Sequence, residues 1–248
     1  MTDAGANLLR KMALLTLTSV GASSTGRVVA AGAALWVVAA LWYFLAEALA
    51  AAAMPGYDYV IHYVSELGAP LISPRAALMN AAFFVQGLFF PVAAMLVIGR
   101  SGARKSLPFL MFATISGVGN VLVSLVHAGT GSNWHLAGAV LAIAGGNAAI
   151  LAGTLVLGRE IAPTAYVLAS GALGATGILS GMMLAVHALP IGLWERSGIY
   201  PILVWQTLTA CVVLHQAGTA RSRAHEDSNS IPALRLPTSP LAVEEGGD

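Results

Sequence analysis

The sequence predicts an all-α membrane protein, a polytopic bundle of six transmembrane helices with a short amphipathic helix in its first outer loop. Three observations predict it. Of 248 residues, 57% are apolar and only 9% charged, against about 25% charged in an ordinary soluble domain, and mean hydropathy is +0.78. Six apolar runs each reach the roughly 20 residues needed to cross a bilayer core as a helix. The 12 Lys and Arg residues also divide unevenly between the two sides that those runs define.

The spans are expected at 28–54, closed by Pro55-Gly56, then 76–98, 107–127, 134–157, 163–187 and 199–217. Backbone groups in lipid must be satisfied internally, and continuous apolar runs suit helices rather than alternating barrel strands. Arg10, Lys11, Arg27, Arg100, Arg104, Lys105, Arg159, Arg221, Arg223 and Arg235 fall on one side, while Arg75 and Arg196 fall on the other. The asymmetry predicts a cell-membrane protein with both termini cytoplasmic, and it requires an even number of spans.

Residues 1–27 read as a cytoplasmic leader and 218–248 as a disordered cytoplasmic tail rich in Ser, Pro, Glu and Gly. Residues 28–217 make up the single membrane domain. Small residues such as Gly145, Gly146, Gly171, Gly174 and Gly177 suit close helix packing, and Pro91 predicts a kink in the second span. A parallel repeat is suggested by Asn80-Ala-Ala with His127-Ala, and by Asn147-Ala-Ala with His187-Ala.

Candidate chemistry gathers at the outer boundary. His62, His127, His135 and His187 map there with Asp58, Glu66, Asn133, Glu195 and Arg196. Glu47 lies about seven residues inside the first span, roughly 10 Å below the interface at 1.5 Å per residue. A carboxylate in a membrane is costly and requires a partner, here a helix-end His or Arg196. In 57–68, Asp58, His62 and Ser65 recur at helical spacing opposite Val60, Val64 and Leu67, which predicts an amphipathic helix whose tyrosines suit interfacial depth.

Several readings of this cluster compete. The plainest is that the polar groups satisfy helix ends and headgroups. A second is a metal-dependent hydrolase of lipid esters or amides, in which His62, His127, His135 and His187 hold a divalent metal such as zinc and Ser65, Glu66 or Asp58 assists. A third is a binding or transport site for a lipid headgroup, amphiphile or anion using Glu47, Asn133, Glu195 and Arg196, with Arg196 and the histidines as donors. Transport is disfavoured because the inner halves of the spans carry almost no ionisable groups. A membrane-protein partner docking on the cluster is a fourth. Bis-His haem is disfavoured, because His127 and His187 sit beside loops where a macrocycle would be half wet. The lone Cys211 excludes a disulfide framework, and no basic, aromatic-interleaved surface supports nucleic-acid binding.

Three motifs carry a family resemblance. His62-Tyr-Val-Ser65-Glu66-Leu67-Gly68 precedes an Asn-led helix, Asn133-Trp-His-Leu-Ala-Gly138 precedes Gly146-Asn147, and Glu195-Arg196 precedes Tyr200-Pro201 and Trp205. Their order and spacing resemble the bacterial and archaeal membrane family called domain of unknown function 998, over about residues 30 to 217. The resemblance implies the fold and a membrane location and supplies no reaction. Many members carry an acid after the third span, often in a Phe-Pro-x-Asp pattern. Here that loop is His127-Ala-Gly-Thr-Gly-Ser-Asn, which removes one ligand from any metal site built on it.

Overall fold

The computed structural model describes the backbone of residues 3–98, 103–161 and 164–230, with side chains over 25–98, 106–157, 164–219 and at Ser222. Helices α1 (Asp3–Ala53), α2 (Ala76–Ile98), α3 (Ala103–Leu125), α4 (Asn133–Ile161), α5 (Thr164–Ala185) and α6 (Ile191–Ser230) account for most of it. All six are long and apolar enough to cross a membrane, from Thr25–Ala53 in α1 to Ile191–Thr219 in α6. The chain is therefore a multi-pass membrane protein, as its hydropathy predicts.

Two boundaries differ from expectation. Helix α6 begins at Ile191 rather than near 199, because Glu195 and Arg196 lie on its buried face and need no loop to reach solvent. Its backbone also stays helical to Ser230, past the expected limit at 217. The rest of the expected disordered tail, 231–248, lies outside the described residues.

Neighbouring helices pack in chain order, α6 returns against α1, and α5 fills the groove between α4 and α6. In one half of the bundle the core is aromatic. Trp36 meets Phe90 and Trp205, whose ring in turn meets Phe109 edge-on at 5.8 Å. The Trp36 indole N–H donates to Phe90 O at 3.2 Å, so its polar atom is satisfied within the core. The other half is built from Tyr43, Leu67, Met79, Phe83 and Leu203.

Glycines set the closest approaches. Helix α2 runs unbroken through Pro91, whose missing N–H cannot serve Gly87 O. Gly117 of α3 lies against that carbonyl and the Pro91 ring, where an added Cβ would sit 2.6 Å from Gly87 O. Helices α3 and α4 meet through Gly119, Gly138 and Gly145, and the Ser116 hydroxyl donates across the seam to Ala142 O at 2.9 Å.

The repeat holds only in part. His127 and His187 each stand two residues beyond a helix end, but Asn80 lies in the opening turns of α2 and Asn147 midway along α4. Asn147 therefore does different work. It is fully buried and donates to both Ile143 O and Gly198 O at 2.8 Å, joining α4 to α6.

Candidate functional site

The expected amphipathic helix over 57–68 does not form. Residues 57–64 are turns, followed by one 3-10 turn at Ser65–Gly68. The cause is competition for the backbone. Asp58 Oδ1 accepts from Val60 N–H at 2.7 Å, and His62 Nδ1 accepts from Asp58 N–H at 3.0 Å. The Arg196 guanidinium takes the carbonyls of Tyr59 and His62 at 2.6 and 2.9 Å. Leu193 N–H, an orphan donor in the first turn of α6, takes Val60 O at 2.9 Å. These carbonyls cannot also carry a helical ladder. Gly192 permits the approach, because a Cβ there would overlap the His62 carbonyl.

Arg196 organises this end of the bundle. It is 4% exposed and Glu47 is 2% exposed. The Arg196 Nε donates to Glu47 Oε1 at 3.0 Å. One terminal nitrogen serves Tyr59 O, His62 O and Gly192 O, and the other donates to the Tyr57 hydroxyl. The guanidinium carbon also lies 4.6 Å from the centroid of the Tyr59 ring. Tyr200 donates to the Glu47 carboxylate, at 3.0 Å from both oxygens. Glu47 thus has the Arg196 partner that its depth demands. The geometry turns most of the Arg196 N–H groups toward Glu47, Tyr57 and the carbonyls of Tyr59, His62 and Gly192.

Glu195, the next residue, faces the other way. Its carboxylate accepts from Val64 N–H and lies against the Ser65 hydroxyl and N–H. Two adjacent residues of α6 therefore clamp one loop, Arg196 by its carbonyls and Glu195 by its N–H groups. Tyr57 completes the clamp by donating to Tyr63 O at 2.9 Å. Burial pushes its phenol well above the ordinary tyrosine value, while Arg196 draws it back in part. Tyr57 therefore stays a neutral donor through the physiological range.

Beneath the clamp lies a cavity of about 30 Å³, room for two or three waters at roughly 10–15 Å³ each. Its polar lining is Tyr43, Ser65, Gln86, Asn120 and Glu195, and its apolar lining includes Phe83, Val123 and Leu203. Tyr43 and Gln86 are 1% and 3% exposed. Among the described residues the Tyr43 hydroxyl and Gln86 Oε1 have no hydrogen-bond partner. An unpartnered buried polar atom of this kind costs about 1–3 kcal/mol.

The other expected site residues stand apart. Asp58 and Asn133 are exposed, His187 is exposed, and His127 and His135 are half-buried. His62 stacks on Tyr57 at 5.5 Å, and His135 Nδ1 lies 2.7 Å from Val126 O. His187 carries φ 53°, in the left-handed region. Among the described residues no three His, Cys, Asp or Glu side chains are placed to hold a metal ion, so the four-histidine set is not assembled. Glu66 is half-buried beside His62 rather than at the cavity. Tyr43, Gln86 and Asn120 escaped sequence reasoning. The rule that singled out Glu47, a polar group inside an apolar span, applies equally to Gln86 and Asn120.

Fold and site together define a six-helix integral membrane protein with a buried ion pair and a polar cavity under a clamped loop. Residues 37–212 match the model of a family described as protein of unknown function (DUF998), and the chain belongs to that family. No curated protein and no solved structure matches the chain.

Proposed function

We propose that this protein binds the polar head of a membrane amphiphile from the extracytoplasmic leaflet, with both termini in the cytoplasm. One observation carries the reading: Tyr43 and Gln86 line a cavity with hydrogen-bonding atoms that no protein group satisfies. A guest that supplies a donor to Gln86 Oε1 and a second polar atom to Tyr43 removes both penalties. Apolar Phe83, Ile143, Ile199 and Ile202 beside them suit an alkyl chain. The basic residues on the termini and on the connections opposite the clamp support the orientation.

The test is extraction and mass spectrometry of amphiphiles that co-purify with the full chain in detergent. A bound species near one per chain is expected, reduced at least fivefold in the Tyr43→Phe/Gln86→Leu variant. Equal low occupancy in both proteins would overturn the reading.

A further inference from the structure

We infer that the cavity selects a cationic head, the primary ammonium of an alkylamine-like amphiphile, with the Glu195 carboxylate as its counter-charge. The inference rests on the amphiphile reading above and names the head that this site prefers.

Three ionisable side chains are buried together at this end of the bundle, Glu47, Glu195 and Arg196, at 2%, 6% and 4% exposure. Two are acids and one is a base. The only ion pair among them joins Arg196 to Glu47 at 3.0 Å. The other Arg196 donors serve Tyr57, Tyr59 O, His62 O and Gly192 O. Glu195 receives no hydrogen bond from a cation. It is held by the neutral donors of Val64 and Ser65, so in its charged form the trio has one negative charge in excess. Arg196, paired with Glu47, acts on Glu195 only through space, and a buried carboxylate without an ion pair of its own is costly in its charged form.

The lining has the chemistry for a cation. Glu195, Ser65, Tyr43, Gln86 and Asn120 all carry side-chain oxygen atoms, and among the described residues the Gln86 carbonyl oxygen and Tyr43 hydroxyl are unpartnered. An ammonium carries three donors and no acceptor. It can donate to Glu195, Gln86 Oε1 and Tyr43 at once, with the Tyr43 and Phe83 rings alongside. At about 30 Å³ the space suits one such head. A phosphate has neither the room nor a cation to meet it, because no Lys or Arg lines the cavity. An alcohol satisfies one orphan and leaves the charge uncompensated.

The experiment is native mass spectrometry of the full chain released from micelles, titrated with octylamine, octanol or octyl phosphate. A single octylamine adduct is expected, at least tenfold tighter than octanol, with no octyl phosphate adduct. Glu195→Gln should erase the preference for amine over alcohol. Should Glu195→Gln fail to fold, Gln86→Leu, which removes one of the two unpartnered oxygens, should weaken octylamine about tenfold. Octanol binding as tightly as octylamine would overturn the inference and leave the amphiphile reading standing. No binding of any of the three would sink both. A sodium ion that stabilises the protein in a Glu195-dependent manner, with no octylamine adduct, would reassign the site to an inorganic cation and likewise overturn the inference.

Discussion

Arg196 Nε lies 3.0 Å from Glu47 Oε1, joining the first and last spans across 149 residues of chain. Both side chains are out of contact with solvent and lipid. Removing one member leaves the other charge buried and unpaired, which costs about 3–5 kcal/mol. Arg196→Met is therefore expected to destabilise by that amount in denaturant titrations in mixed micelles, and to expose 57–64 to proteolysis. Glu47→Gln should cost less, because Tyr200 can still donate to the amide oxygen. The double variant should cost clearly less than the sum, and strict additivity would contradict the pairing.

Two glycines at helix crossings should respond differently to the same added methyl. A Cβ at Gly119 meets the Gly138 carbonyl oxygen at 2.6 Å, which is backbone and cannot swing aside. A Cβ at Gly177 instead overlaps the Asn147 side chain. Each alanine should cost about 1–3 kcal/mol by overpacking. Shortening the neighbour should relieve only one of them. Gly177→Ala/Asn147→Ala is expected to be no less stable than Asn147→Ala alone, while Gly119→Ala has no comparable rescue. Unfolding free energies of these four variants check the contrast.

The six spans were legible because hydropathy is a one-dimensional property, and Glu47 was legible because a carboxylate in a span demands a partner. Arg196, one of two basic residues on its side of the sequence, was one of the two kinds of partner expected, beside a helix-end His. The 57–68 segment was not legible. Its local spacing fits a helix, but Arg196 and Leu193, more than 130 residues away, take the carbonyls that a helix would use. The histidines mislead for another reason. Sharing a membrane boundary does not place residues in one site, and His127, His135 and His187 sit on separate loops and helix ends. Gln86 and Tyr43 were hidden among apolar neighbours, and only the packing of α1, α2 and α6 turns them toward one cavity.

Glu66 gives the loop a pH dependence. Loss of hydration holds its carboxyl above the ordinary 4.5, and His62 and Arg196 draw it partly back. The folded state thus binds this proton more tightly than the unfolded chain does. The resulting stability is fully present below 4.5 and is lost as pH rises through the higher folded-state value. Amide exchange over 57–68 should show similar protection in the wild type and Glu66→Gln at pH 4.5, and less protection in the wild type than in Glu66→Gln at pH 7. Greater protection in the wild type at pH 7 would reverse the assignment.

The proposed orientation rests on charge and can be checked without a ligand. The sole cysteine, Cys211, lies on α6 within its apolar span, and Cys211→Ser provides a silent background. Thr130 is exposed in the connection between α3 and α4, and Ser222 is exposed beyond the span of α6. These positions fall on opposite sides of a six-span bundle. With ten of twelve Lys and Arg residues on the side of the termini, the positive-inside rule puts Thr130 outside. Thr130→Cys in intact cells should react with a membrane-impermeant maleimide, and Ser222→Cys only after permeabilisation. The opposite pattern would turn the cavity toward the cytoplasm, where the amphiphile would have to come from the inner leaflet.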